Sequence, residues 1–291
     1  MFWYIFTIVI CSLVIAGSFI VRKMSRNAAE LNIVTETFRS SGRAKPQKFC
    51  FISDVHISMM PVKWGDILTA IKEEDPEFVL ITGDLVNKTR DIERARQFVL
   101  TIALGAEVPV IITPGNHDND VAASLNEGKK EFIDAFTSLK ADVRVIDDGY
   151  TVVGSVLIGG LNDFNSACED PGKLIDSWSR IAKDGSYDFV LATHNADMLL
   201  KQDVANASCA VSGEGPSCVL CGHTHGGQIR LVRHIEFKTL KKDVLPKKGI
   251  YYGRHKVGPY EVCITSGLGC AMFPLRHGTR PEVVVVNLSP M

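Results

Sequence analysis

Short apolar runs in this chain repeatedly stop at a side chain able to hold a metal ion, and that repeat restricts the fold more than any other feature. Residues 49–53 run into Asp54-Val55-His56, 78–82 into Gly83-Asp84, and 108–113 into Pro114-Gly115-Asn116-His117-Asp118. Residues 189–193 end at His194, and 218–221 lead into Gly222-His223-Thr224-His225-Gly226-Gly227-Gln228, with a further apolar run, 229–232, leading out. Such runs, bounded by Gly, Pro and Asp, read as buried strands. In an extended segment positions i and i+2 face the same side, so His223 and His225 can reach one place. The glycines around them let the backbone turn sharply and come close to whatever sits there. In open α/β sheets the carboxyl ends of the strands are where ligands bind.

Between the runs lies helical spacing. Trp64, Ile67, Leu68 and Ile71 mark one helix, stopped by Pro76; Ile92, Ala95, Phe98, Val99 and Ile102 mark a second; Phe132, Ile133, Phe136 and Leu139 a third. Pro171 opens a fourth through Leu174, Ile175, Trp178 and Ile181. Residues 143–147, 150–153 and 156–159 read as short strands joined by Asp148-Gly149 and Gly154-Ser155 turns, and 260–266 and 283–288 as two more. Strands alternating with helices, then hairpin-like pairs, predict two mixed sheets packed face to face with helices outside.

A chain of 291 residues, 46% hydrophobic and 22% charged, can build one domain with a sizeable core plus something apolar. The formal net charge of −1 and the lack of an aromatic-basic stripe argue against a nucleic-acid partner. Cys50, Cys221 and Cys263 lie inside apolar runs, where a free thiol behaves as a small hydrophobe. Cys218-Val219-Leu220-Cys221 has zinc-knuckle spacing but lies in a strand without a second pair nearby, so no structural zinc is expected. Several free thiols favour a reducing compartment.

Residues 2–21 carry no charged side chain and match the length needed to cross a bilayer. Trp3 and Tyr4 suit one interface, and Arg22, Lys23 and Arg26 the other. A cleaved signal peptide has a positive start and a shorter apolar core, so a retained anchor is the better reading. The positive-inside rule then puts the rest of the chain in the cytoplasm. The expected organisation is a transmembrane anchor at 1–21, a basic linker at 22–47 and a globular domain at 48–291. The linker, with Arg39, Arg43 and Lys45 running up to Lys48, reads as a solvated tether that also favours anionic headgroups.

Taken in order, DVH at 54–56, GDLVN at 83–87, PGNHD at 114–118, THN at 193–195 and GHTHGGQIRL at 222–231 resemble the calcineurin-type metallophosphoesterase superfamily. The resemblance covers residues 48–289. It is closest to the small bacterial branch with GHTHGGQ and a terminal element, here Gly267-Leu268-Gly269, Pro274-Leu275-Arg276 and Pro281-Glu282-Val283. It implies an αββα sandwich of two mixed β-sheets flanked by helices, preceded by the N-terminal transmembrane helix. It also implies one metal on Asp54, His56, Asp84 and His225 and another on Asp84, Asn116, His194 and His223, with Asp84 bridging. Mixed His/Asp/Asn ligation suits two borderline divalent ions, manganese first, with iron, zinc or cobalt as alternatives to it. His117 is expected to stabilise the transition state and protonate the leaving oxygen. Asp118 is expected either to hold the other nitrogen of His117 or to cap the following helix. Arg276 is expected either to contact a substrate phosphate or to form a surface ion pair.

The function implied is two-metal hydrolysis of a phosphodiester or pyrophosphate whose other end is a lipid. Within the superfamily the chain resembles the membrane-anchored type of UDP-2,3-diacylglucosamine pyrophosphatase of lipid A synthesis. It is thus expected at a bacterial inner membrane with its catalytic domain in the cytoplasm. The alternatives are a broader lipid or cell-envelope phosphodiesterase and a non-catalytic binding scaffold. The scaffold is disfavoured because every ligand position carries a competent side chain. A lipid substrate would need an apolar rim, for which Met59, Met60, Pro61 and Trp64 after His56, and Met272, Phe273, Pro274 and Leu275 before Arg276, are the candidates.

Overall fold

A computed structural model describes residues 1–40, 46–163, 170–230, 237 and 242–290. Arg43 and Lys45, and the end of the 229–232 run, lie outside these described residues. The strands form two six-stranded sheets. In the first, the order is β1 (Asn32–Arg39), β12 (Glu282–Ser289), β2 (Gln47–Ile52), β3 (Val79–Thr82), β4 (Val110–Thr113) and β5 (Val143–Val145). In the second it is β10 (Gly253–Val257), β11 (Tyr260–Ile264), β9 (Cys218–Cys221), β8 (Asp188–Thr193), β7 (Val156–Leu161) and β6 (Gly149–Val153). Strands β2 to β5 run parallel, as do β7, β8, β9 and β11, while β12 pairs antiparallel with β2.

Alternation along the strands divides the apolar side chains into layers. Phe49, Phe51, Phe78 and Leu80 point between the sheets, where they meet Ile158, Val190 and Leu220 of the second sheet. Cys50, Ile52, Val79 and Ile81 point outward, onto α2 (Trp64–Glu74) and α3 (Ile92–Ala106). Leu157, Leu191 and Val219 face the other way, onto a helix over Pro171–Asp184. The fold is therefore an αββα sandwich of two mixed sheets between helices. Alternation also explains why the 218–221 cysteines make no zinc site. Cys218 lies between the sheets and Cys221 on the outer face, so their thiols point apart.

Over residues 22–39 the expected linker at 22–47 is instead helix and strand. The N-terminal helix α1 runs from Phe2 to Ala29, and Asn32–Arg39 pairs in parallel with β12 along its whole length. The run Ile33-Val34-Thr35-Glu36-Thr37-Phe38 is rich in β-branched residues, and Phe38 is buried between the sheets. Helix α1 is long and apolar enough to cross a membrane, a property that a signal sequence near the N-terminus shares. Its apolar residues up to Val21 are exposed, and its buried positions are Met24 and Ala28. There the helix docks: the Met24 carbonyl accepts from Arg276 N at 3.1 Å, and Asn27 Nδ2 donates to the Arg276 carbonyl at 3.4 Å.

Candidate metal centre

The parallel strands of both sheets deliver their carboxyl ends to one edge of the sandwich, and the candidate ligands meet there. Asp54 and His56 follow β2, Asp84 follows β3, and Asn116 opens the short helix after β4. His194 follows β8, and His223 and His225 follow β9. Asp54, His56, Asp84, His223 and His225 all have positive φ, between 38° and 69°. Non-glycine residues rarely adopt this region, and each such residue costs on the order of 1–3 kcal/mol unless its surroundings fix it. Here backbone bonds fix it. Asp54 N donates to the Gly83 carbonyl at 3.0 Å, His56 N to that of Asp84 at 2.8 Å, and Gly222 N to that of His194 at 3.0 Å. Gly222 also permits the close approach of the two sheets. A Cβ there would fall 1.9 Å from Ser53 Oγ and 2.2 Å from Asp54 Oδ2.

Two groups of ligand atoms result, Asp54 with His56 and His225, and Asp54 with Asp84 and His194, each within 4.8 Å of one another and all buried. Asp84 Oδ2 reaches toward both, 3.6 Å from His56 Nε2 and 3.1 Å from His194 Nε2. Asn116 Oδ1 lies 3.1 Å from His223 Nδ1. Asp54, His56, Asp84, His194 and His225 thus come together in these groups, while Asn116 and His223 face each other beside them.

The donor set fits cations, and the protonation pattern shows why. His194 Nδ1 donates to the Thr82 carbonyl at 2.7 Å, and a carbonyl can only accept. A neutral His194 therefore presents a bare Nε2 lone pair to the Asp84 carboxylate. That pairing repels unless a positive charge lies between the two groups. The pKa values carry the same message. Burial alone would lower His194, yet Asp84 raises it to about 10. Burial alone would raise Asp84, yet His194 and His56 hold it well below the usual carboxylate range. Asp54 likewise stays low, against burial, through His225 and His194. His56, by contrast, is pushed down by burial and remains a neutral ligand.

The sequence of the calcineurin-like phosphoesterase family matches residues 47–227, the segment that carries all of these ligands. This chain belongs to that family. Among its relatives are the Bacillus subtilis (strain 168) protein YpbG, 26% identical over 278 residues and 95% of both chains, and Escherichia coli (strain K12) phosphodiesterase YaeI, 26% identical over 253 residues, 84% of this chain and 83% of the other. The Bacillus subtilis metallophosphoesterase YkuE is 25% identical over 252 residues, 83% of this chain and 78% of its own.

In this phosphoesterase several sequence expectations need correcting. Of the two roles expected of Asp118, it takes the helix cap, accepting from the N-cap Gly115 N–H of the helix Asn116–Ala122, and does not orient His117. It is fully buried, and its carboxylate accepts from the backbone N–H of Leu85 at 2.9 Å, Val86 at 3.1 Å and Gly115 at 3.1 Å, tying the β3 and β4 ends together. Burial and the neighbouring Asp84 charge push its pKa up to about 7. His117 itself is half-buried, with its ring 5.2 Å from that of His56 and its N–H donated to Asp84 Oδ1 at 2.9 Å.

Arg276 is neither a phosphate contact nor a surface ion pair. It is fully buried and donates through Nη2 to the carbonyls of Ser266, Gly267 and Gly269, and through Nη1 to that of Arg280. The loop it gathers lies against the first metal motif, with Leu268 N on the Ser53 carbonyl at 3.0 Å and Gly269 N on that of Asp54 at 2.7 Å. Arg276 is a positioning residue two steps from the ligands. Met60 is buried in the core and Trp64 packs against it edge-on to Phe98, leaving half-buried Met59 and Pro61 of the first expected rim. Met272 and Phe273, 76% and 58% exposed, keep the second.

Sequence reading assigned no role to three further residues at the site. Asn87 Oδ1 bonds His56 Nδ1, fixing which ring nitrogen is bare; it stands inside the GDLVN motif, which was its signal. Asp243 Oδ1 lies 3.3 Å from His223 Nε2 and accepts from Asn195 Nδ2 at 3.2 Å. Asp197 places it by accepting from Leu245 N at 2.9 Å and Val244 N at 2.5 Å. Gln228 braces the exposed rim, donating to the carbonyls of Phe273 at 2.9 Å and Leu275 at 3.0 Å and accepting from Ala271 N at 2.8 Å.

Proposed function

We propose that the chain is a membrane-anchored, two-metal phosphodiesterase or pyrophosphatase acting on a lipid-linked substrate. The observation that carries this reading is His194 Nε2 facing the Asp84 carboxylate 3.1 Å away, at the meeting point of both sheets. Asp54, His56, Asp84 and His225 would hold one divalent cation, and Asp84, Asn116, His194 and His223 the other, with manganese preferred over iron, zinc or cobalt. When bound, the cations polarise phosphoryl oxygens and lower the pKa of a water for in-line attack. His117, beside His56 and half-exposed, stabilises the crowded phosphorus and protonates the leaving oxygen. Asp118 and Arg276 hold the loops on which the ligands ride.

The relative named a phosphodiesterase supports a diester as substrate. Helix α1 supports the anchor, and the basic residues after its apolar span support a cytoplasmic domain at a bacterial inner membrane. Exposed Met272 and Phe273, braced by Gln228 three residues beyond His225, support an acyl-bearing substrate of the UDP-2,3-diacylglucosamine type. The test compares hydrolysis of a lipid-linked pyrophosphate with that of its deacylated analogue, in wild type and in Met272→Ser/Phe273→Ser, against a chromogenic diester. Faster turnover of the acylated substrate, lost in the double variant, is expected. Equal rates throughout would leave a broader diesterase, and no metal-dependent turnover at all would leave a binding scaffold.

A further inference from the structure

Where α1 meets the loop before β12, the described residues enclose a cavity of about 460 Å³ that none of the chemistry above uses. Lys23 and Asn27 come to it from the last turns of α1, Arg230 from the segment leaving the GHTHGGQ motif, and His277 and Arg280 from the C-terminal loop. Its cations outnumber its anions. Glu282 is the acidic residue in the wall, and its carboxylate already accepts from Thr265 Oγ1, Ser266 N and the Tyr252 hydroxyl. Arg280 is partly neutralised by Glu30, 3.2 Å away and half-exposed.

Arg230 is held in place as a built feature rather than a surface side chain. Its guanidinium carbon lies 5.4 Å and 5.2 Å from the ring centroids of Tyr251 and Tyr252. Its Nε donates to the Gly226 carbonyl at 2.7 Å, and its backbone N–H donates to the His277 carbonyl at 2.9 Å. Gly278 has φ +78°, which favours glycine, and a Cβ there would crowd the Arg230 side chain, 3.1 Å from its Cβ and 3.2 Å from its Cδ. In spite of this bracing, Arg230 Nη2 is buried without a hydrogen-bond partner among the described residues. An unsatisfied buried N–H costs about 1–3 kcal/mol, and such a group calls for an acceptor.

We propose that this cavity binds a phosphate ester anion, with Arg230 as its central contact and Lys23, His277 and Arg280 around it. A planar guanidinium suits phosphate oxygens, and Lys23 adds a flexible point charge. The position favours a lipid as the source of the phosphate. Lys23 stands two residues beyond the exposed apolar span that ends at Val21, the depth at which headgroups lie if α1 crosses a bilayer, and in that respect the proposal rests on the anchor reading above. The site is separate from the metal centre, although Arg230 reaches the carbonyl of Gly226, the residue after His225.

The test is calorimetric titration of the full chain in neutral detergent with dihexanoyl phosphatidylglycerol, dihexanoyl phosphatidylcholine, glycerol 1-phosphate and inorganic phosphate. Wild type, Arg230→Gln, Lys23→Gln and Asp84→Asn are compared. Phosphatidylglycerol should bind wild type and Asp84→Asn alike, and about tenfold more weakly to Arg230→Gln, a loss of about 1.4 kcal/mol. Lys23→Gln, at an exposed position that cannot disturb the core, should weaken it in the same direction and keeps the test valid if Arg230→Gln does not fold. Weak binding of the two soluble phosphates and of the zwitterionic lipid assigns the site to anionic headgroups; glycerol 1-phosphate binding as tightly assigns it to free phosphate esters. Affinity unchanged in both Arg230→Gln and Lys23→Gln, or lost only in Asp84→Asn, overturns the proposal. Because the readout is binding without turnover, it can fail while metal-dependent hydrolysis stands, and the reverse.

Discussion

His56 Nε2 lies 3.2 Å from His225 Nε2, and the two rings stack with centroids 5.0 Å apart, although one residue follows a strand of the first sheet and the other a strand of the second. With its Nδ1 on Asn87 Oδ1, a neutral His56 turns a lone pair toward His225. The Asp54 carboxylate stands 3.4 Å from His225 and that of Asp84 3.6 Å from His56. Lone pairs and carboxylates from two sheets converge on one small volume, which a divalent cation would occupy at lower energy than any single proton. The site is thus an interface between the sheets, and its integrity and the packing of the sandwich are the same problem.

Asp84, like Asp54, reaches both halves of the cluster, and His223 stands beside the second half with its ring 5.2 Å from that of His194. Asp84→Asn or His223→Ala should each remove nearly all hydrolysis of a chromogenic diester. Circular dichroism should show both proteins folded, and elemental analysis should find bound metal reduced. Either variant turning over at a near-normal rate with normal metal content would sink the two-metal assignment.

Asn87 acts through His56 rather than on substrate. Loss of such an orienting partner typically costs about 10–100-fold in metal affinity or activity. Asn87→Ala should therefore need higher added metal to reach full activity, and excess manganese should restore most of the rate. A rate that stays low at saturating metal would mean that Asn87 touches the reacting groups directly.

The strand-end design was legible because each element of it is local: an apolar run, then Asp, Asn or His within three residues. The helices were legible for the same reason. What escaped depended on distance in the fold. Strand β1 is an edge strand with one buried face, and the charges around it masked the Ile33-to-Phe38 alternation. Asp243 carries no local pattern at all and is placed by Asp197 gripping the next two amides and by Asn195. Arg276 was misread because an Arg in a polar loop looks the same in sequence whether it faces solvent or a ring of carbonyls. Met60 and Trp64 looked like a rim because sequence spacing does not say which face of a turn is covered.

His117 stands beside His56 without being drawn into the cluster, so its replacement should spare metal binding. His117→Asn is expected to cut turnover of a diester with a poor leaving group by roughly 10²–10⁴-fold, the range for general acid catalysis. With an acidic leaving group such as p-nitrophenol the loss should be much smaller, since that group departs without a proton. Equal losses on both substrates would argue against proton donation and leave only transition-state stabilisation.

The anchor reading predicts topology. Protease added to intact cells should leave the domain beyond α1 uncut, and the mature protein should retain residues 2–21. Cleavage of the domain from outside, or a mature N-terminus near Ala28, would show that α1 is an export signal.

Arg276 offers the sharpest contrast between what the sequence implied and what the geometry supports. Replacing it by Met keeps much of its volume but takes the guanidinium donor from the carbonyls of Ser266 and Gly269, while those of Gly267 and Arg280 keep Glu282 N and Ser266 Oγ. Breaking a buried charged network of this kind costs on the order of 3–5 kcal/mol. At roughly 2–4 °C per kcal/mol for a domain of this size, Arg276→Met should lower Tm by about 10 °C. Because Leu268 and Gly269 also lie on the backbone of Ser53 and Asp54, metal affinity should fall with stability. The KM for a small diester should change little in the protein that remains folded and metal-loaded. A phosphate contact would give the opposite pattern, with KM raised many-fold at unchanged Tm and metal content. Measuring all three quantities on one preparation separates the two roles.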